Sequence, residues 1–368
     1  MNRHEEVAAK LQRVRMWMTA QGYEAVALTT QANFSWITAG GCNHVGTTTE
    51  AGVAPVIITG DGQFLIANNI EAVRLAAEEI GDLPFAIRQM NWWEEDRDAA
   101  LAAITGSDDR LATDGAWPGK AANCAGAIAS LRWELLPPEI DRYRELGAIA
   151  SRSLTETALE IEPGMTEHEI AAVLGSKLLA EGCTPGVLLI AVDERISRFR
   201  HPIPTDKVLD RIAMLVIGAR KWGLGLSATR LVSFGPLSDE LRSKHNAVCA
   251  VDTCFIGETK IGAKVADIFA KALQVYSDTG FGEEWKLHHQ GGATGYAPRD
   301  YRGGLNSPHS VLPNQAFAWN PSITGTKSED TIIATPCGTE ILSPATDWPM
   351  LHIAHAGEAI ARADILVR

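Results

Sequence analysis

The sequence predicts two domains, an α/β domain over residues 1–135 and an α+β domain over residues 136–368. Three observations carry this reading. The first third alternates helical and strand-like periods. The alternation stops at Leu136-Pro137-Pro138, and beyond it long helical runs accompany a series of strand-like ones. At 368 residues, the chain is long enough for each part to bury a substantial core.

Each element has a local reason. Val7, Leu11, Val14 and Met18 recur at helical spacing over 3–21, and Gly22 ends that helix. Residues 24–30 read as a buried strand, and 53–58 and 63–67 as a hairpin around Gly60-Asp61-Gly62. Helices over 70–80 and 99–104 and a strand over 110–113 complete the first part. A long helix then spans 138–159, with proline near its start and Pro163-Gly164 closing it. Thr166-x-x-Glu169 is a capping box that opens a helix to about Glu181. Strands follow over 187–192, 213–219 and 226–234, then helices over 237–254 and 265–279, then short strands and turns.

Composition excludes several function classes. Lys and Arg total 33 against 45 Asp and Glu, a net charge of −12. Nucleic-acid and anionic-membrane binders need an excess of cations, so neither partner is expected. No run of about 18 apolar residues reads as a spanning helix, and the charged N-terminus lacks a signal-peptide core. The six cysteines (42, 124, 183, 249, 254, 337) show no CxxC spacing and read as reduced thiols in a cytoplasmic protein. Cys337, between Pro336 and Gly338, has no catalytic pattern around it.

Several segments, in order along nearly the whole chain, carry a resemblance. They are Gln31 to Gly40, Ile161-Glu162-Pro163-Gly164-Met165-Thr166-Glu167, and His201-Pro202-Ile203-Pro204-Thr205-Asp206. Val216-Ile217-Gly218-Ala219 and Ser227-Ala228-Thr229-Arg230 follow, then His288-His289-Gln290-Gly291-Gly292, Trp319-Asn320-Pro321 and Ser328-Glu329-Asp330-Thr331. The set resembles the pita-bread family of proline-specific aminopeptidases, prolidase and creatinase. Gln31 to Gly40 is similar to that family's early strand-turn segment. The resemblance implies a creatinase/aminopeptidase P-like fold for the second domain and a homodimer.

In that family two divalent ions sit between two Asp, one His and two Glu, and a bridging water becomes the nucleophile. Carried over, the five positions here are Val216, Ser227, His289, Asn320 and Glu329. Valine cannot ligate, and neutral Ser and Asn oxygens are poor substitutes for carboxylates. No metal and no other cofactor is expected. Creatinase works without metal on this scaffold, through a histidine in the loop matching His201. Its glutamate clamp falls on Thr229 and Asn320 here, which argues against creatine.

The candidate catalytic residues are therefore His201, His289 and Glu329. The candidate substrate-binding residues are Arg230, Tyr296, Asn320, Ser227 and Thr229. The resemblance implies that Arg230 pairs with Glu329. Adjacent residues of an extended segment face opposite sides, so only His289 of His288-His289 is expected to face the site. Gln290 to Tyr296 reads either as a backbone cradle for an anion or as a glycine turn leaving a strand. Arg299 and Arg302 are candidate carboxylate clamps or solvated surface residues. Trp36, Trp222 and Trp319 are core residues by default, and Val216 with Trp319 would make a drier floor. Arg198 and Arg200 would favour neutral His201 if close.

The function expected is a metal-independent hydrolase, or related acid/base enzyme, acting on a small C–N-containing molecule. The alternatives are a catalytically inactive binding protein and a single-metal peptidase using His289 and Glu329 with Ser227 or Asn320.

Overall fold

The computed structural model describes residues 1–94, 97–106, 109–117 and 119–368. No helix among them is long and apolar enough to cross a membrane. The chain forms two compact units. Met1–Glu139 with Trp222–Leu224 make the first, and Ile140–Lys221 with Gly225–Arg368 make the second.

The first unit opens with α1 (Arg3–Gln21). Asn2 and Glu5 close a capping box at its start, and Gly22 ends it at φ 76°. Its Val7, Leu11, Val14 and Met18 are all buried. β1 (Ala25–Thr30) leads into α2 (Gln31–Ile37), where the sequence suggests a strand-turn. Thr30 accepts the Asn33 N–H as N-cap, and all seven residues of this one short helix are buried, which hides the helical period. β2 (Ala51–Thr59) and β3 (Gln63–Asn68) form the expected hairpin. α3 (Glu71–Arg74), continued by a π-helical stretch Leu75–Ile80, precedes β4 (Ala86–Met90). α4 (Arg97–Thr105), β5 (Leu111–Thr113), β6 (Ala122–Asn123) and α5 (Ala125–Ser130) complete the unit. Its sheet runs β4-β3-β2-β1-β5-β6, antiparallel across β1, β2 and β3 and parallel elsewhere.

The second part of the chain starts with α6 (Pro137–Glu160) and α7 (Glu167–Ala180), whose Thr166 cap forms the box seen in the sequence. β7 (Thr184–Val192), α8 (Glu194–Arg198), β8 (Ile212–Lys221) and β9 (Leu224–Ser233) follow. α9 (Asp239–Glu258) and α10 (Val265–Asp278) come next. The strands after them are β10 (Gly291–Thr294), β11 (Tyr301–Arg302), β12 (Gln315–Trp319), β13 (Ser322–Ile323) and β14 (Thr326–Lys327). β15 (Asp330–Thr335), β16 (Gly338–Ile341), β17 (Met350–His355), β18 (Glu358–Ala363) and β19 (Leu366–Val367) end the chain.

One sheet has the order β11-β10-β12-β15-β16 and another β19-β9-β8-β7. The first is antiparallel throughout. The two sheets touch at an isolated antiparallel bridge, Thr229 with Glu329. The main core lies between α9, α10 and the first sheet. Trp319 belongs to it, stacked between Phe255 at 4.4 Å and Phe317 at 5.6 Å.

Candidate functional site

The register of the sheet places the site. Trp319 pairs with Asp330, so the next step of that ladder sets Asn320 beside Glu329, and Thr229 pairs with Glu329 on its other side. Three of the candidate positions thus lie in a row across neighbouring strands, where paired residues share a face. The Glu329 carboxylate is not free. Lys327, two residues earlier, donates from Nζ to Oε2 at 2.6 Å, and Thr229 Oγ1 donates to the same oxygen at 2.7 Å. Arg299 Nη2 lies 3.7 Å from Oε1. Asn320 is buried, and its Oδ1 has no hydrogen-bond partner among the described residues.

A cluster of imidazoles forms the second part of the site. His201 comes from the loop after α8, and His288 and His289 from the turn entering β10. His201 Nε2 and His288 Nε2 are 3.1 Å apart, so one donates and the other accepts. The three ring centroids are 4.6–5.7 Å apart. The expectation that His288 faces away is therefore corrected. The chain turns at this point instead of running straight, and both rings join His201. His288 Nδ1 lies 3.3 Å from Ser322 Oγ, and Gly291 N–H donates to His289 Nδ1 at 3.2 Å. That bond occupies the Nδ1 lone pair, so neutral His289 carries its proton on Nε2 and is a donor there.

The electrostatics keep the cluster neutral. Burial, then the charge of Lys327, lowers the pKa of His201, with Glu329 acting the other way. Burial and Lys327 push His288 down to about 2. Burial, then Arg299 and Arg302, push His289 down to about 4. The cations that lower His201 most are Lys327, Arg299 and Arg302, not the expected Arg198 and Arg200, and Arg200 pairs with Glu284 at 2.7 Å. His201 is the exposed member of the cluster and His288 the buried one.

Other candidates stand elsewhere. Arg230 does not pair with the Glu329 side chain. Its Nη2 bonds Asp330 Oδ1 and the Ser343 carbonyl, both at 2.9 Å, because the next residue along β15 faces the opposite side of the sheet. Arg362 bonds Asp330 Oδ2 at 2.7 Å and Asp252 Oδ2 at 2.5 Å, completing a buried network behind the site. Tyr296 is buried. Ser227 is held through its main chain by Thr331 Oγ1 at 2.9 Å. Val216 packs with Leu189, Met214 and Leu231, in a different core cluster from Trp319, so the two do not form one dry floor.

Gly291 and Gly292 are strand residues of β10 with φ of 93° and 150°. A Cβ on Gly291 would strike Ala318 O and Trp319 Cα. Close strand approach, not an anion cradle, explains these glycines. Gly291→Ala is expected to lower unfolding stability by at least about 2 kcal/mol, measured by denaturant titration.

A pair of divalent ions does not fit these side chains. Val216 is in apolar packing, Ser227 and Asn320 are neutral, and the Glu329 carboxylate already takes an ammonium. The three imidazoles offer nitrogens within 4.8 Å of one another, the spacing of a single-ion site. The occupied Nδ1 of His289 makes its Nε2 a donor, which opposes that use.

Lys327 is not among the candidates that the sequence offers, and His288 is expected on the far side. The Lys327-Ser328-Glu329 spacing was the available signal for Lys327, since residues i and i+2 of an extended chain share a face.

The comparisons agree with this architecture. A family model described as metallopeptidase family M24 matches residues 141–336, and the creatinase/prolidase N-terminal domain matches residues 10–145. An uncharacterized peptidase of Staphylococcus haemolyticus is 24% identical over 215 residues, covering 56% of this chain and 61% of that protein. The chain thus spans about three fifths of the length of that curated relative. An Xaa-Pro dipeptidase structure from Bacillus anthracis aligns with TM-score 0.79 at 20% identity, covering 98% of this chain and 100% of its own. The prolidase of Pyrococcus horikoshii aligns with TM-score 0.78 at 19% identity, covering 92% and 99%. These likenesses show the pita-bread fold.

Proposed function

This chain belongs to metallopeptidase family M24, and from that premise we propose that it is a hydrolase that breaks a C–N bond of a small molecule by acid/base chemistry, without a metal pair. The observation that supports this most is the neutral His201–His288 contact at 3.1 Å beside the Lys327–Glu329 pair.

Each residue has a role in that reading. His201, exposed and neutral, takes a proton from a water as the water oxygen bonds to the ligand carbon. Its lowered pKa makes the resulting imidazolium a ready acid, which returns the proton to the leaving nitrogen as the C–N bond breaks. His288 shares the Nε2 contact and steadies the ring. His289 Nε2–H and the Lys327 ammonium are donors for an oxygen that gains negative charge. Glu329 offsets the Lys327 charge and supports the basicity of His201.

The test is a screen of small amides, imides and guanidines before and after exhaustive dialysis against a chelator. Turnover is expected to survive chelation within about twofold. Loss of turnover on chelation, with recovery on adding Mn2+, Co2+ or Zn2+, would overturn the reading. Ligand binding with no turnover across the screen would instead favour a binding protein.

A further inference from the structure

We propose that the Lys327 ammonium is the resident cation of this site, seated on Glu329 in place of divalent ions and presenting its remaining N–H groups to a ligand oxygen. This deepens the reading above and rests on it for the role of the cluster, but its test needs no turnover.

The seat comes first. Of the four carboxylate positions of the metal-bearing pattern, Val216, Ser227 and Asn320 have lost the acid and Glu329 alone keeps it. That carboxylate meets Lys327 on Oε2 at 2.6 Å and Arg299 near Oε1 at 3.7 Å. An ion arriving at Glu329 would have to displace the ammonium and sit beside the guanidinium, with one acid to offset its charge. The Thr229 hydroxyl, also on Oε2, fills the remaining approach to that oxygen at 2.7 Å.

The ammonium is also built in. Lys327 is 5% exposed, closes the β13–β14 hairpin opposite Ser322, and lies close enough to His201 and His288 to depress both. Ser322 is itself the residue that holds His288 Nδ1. An ammonium has three N–H donors, and among the described residues Lys327 spends one, on Glu329. Two donors on a buried cation are thus left for a ligand or solvent. Two unmatched polar atoms accompany them, Asn320 Oδ1 and Arg299 Nε, both buried without a partner among the described residues. Such unmatched groups are costly in a folded core, and a ligand or ordered water that supplies partners relieves that cost.

The experiment separates the two roles. Ser227→Asp with Asn320→Glu restores two carboxylates, and Mn2+ affinity is read from the free-ion EPR signal with Lys327 retained or changed to Met. Lys327→Met is expected to tighten Mn2+ by at least about 100-fold in that background, since a unit positive charge leaves a poorly screened position. Equal affinities would overturn the proposal. The unaltered protein gives a second measurement should these variants fail to fold. With millimolar Mn2+, the imidazole NMR signals of His201, His288 and His289 should stay sharp, and selective broadening of them would overturn the proposal. Acetate is the probe for the donors. It should shift the same signals in the unaltered protein and do so at least about tenfold more weakly in Lys327→Met. Shifts absent from the unaltered protein, or unchanged by the substitution, would overturn the donor role.

Discussion

His201→Asn lowers turnover by about 10²–10⁴-fold, the range that a positioned general acid/base supplies. Ligand affinity, measured by calorimetry, should change far less, because asparagine keeps a polar side chain of similar reach without a titrating nitrogen. The pH profile gives an independent reading. Only neutral His201 can take the proton, and its pKa is lowered by burial and by Lys327. The acid limb of kcat/KM therefore falls below pH 6.5, the ordinary histidine value. Removing the Lys327 charge favours the imidazolium and so moves that limb upward. Turnover unchanged in His201→Asn would remove this residue from the mechanism.

Arg362→Met costs about 3–5 kcal/mol of folding stability, the usual result of removing one partner of a buried ion network. Arg362 is 1% exposed and links Asp330 to Asp252, and Asp252 Oδ1 already lacks a partner among the described residues. Asp330 keeps Arg230 in the variant, whereas Asp252 keeps, among the described residues, only the Ser328 hydroxyl at 2.6 Å. Burial already pushes Asp252 up to about 6, and losing the guanidinium raises it further. A carboxyl whose folded pKa exceeds its unfolded value binds more protons when folded, so its contribution falls as pH rises. The deficit relative to the unaltered protein should thus be larger at pH 8 than at pH 5.5 in denaturant titrations. A deficit below about 1 kcal/mol at both pH values would show that the network adds little to stability.

Most of the fold was legible in the chain. The capping box at Thr166, Gly22 after α1 and the hairpin around Gly60-Asp61-Gly62 are local signals, and local signals survive without tertiary context. The order of the motifs then indicated the pita-bread architecture. What failed was long-range or too short to show a period. α2 is a buried helix of about two turns, and its alternation of polar Gln31, Asn33 and Ser35 with apolar Ala32, Phe34 and Trp36 gives a strand-like period in place of a helical stripe. The pairing of Arg230 with Glu329 rests on the resemblance alone, and the strand sends Asp330, not Glu329, to the face that Arg230 occupies. His288 joins the cluster because the chain bends there, which an alternation rule for extended chain does not capture. Lys327 matches no metal-ligand pattern, because an ammonium is the chemical opposite of a ligand.

One threonine grips Glu329 twice. Its backbone N–H bonds the Glu329 carbonyl at 3.1 Å, and its hydroxyl bonds the carboxylate at 2.7 Å. Main chain and side chain are thus pinned by the same neighbour, at the point where two sheets meet. The acid is a fixed landmark, not a swinging arm. Any molecule that uses it must be brought to it, and the orientation it meets has been set by folding before it arrives.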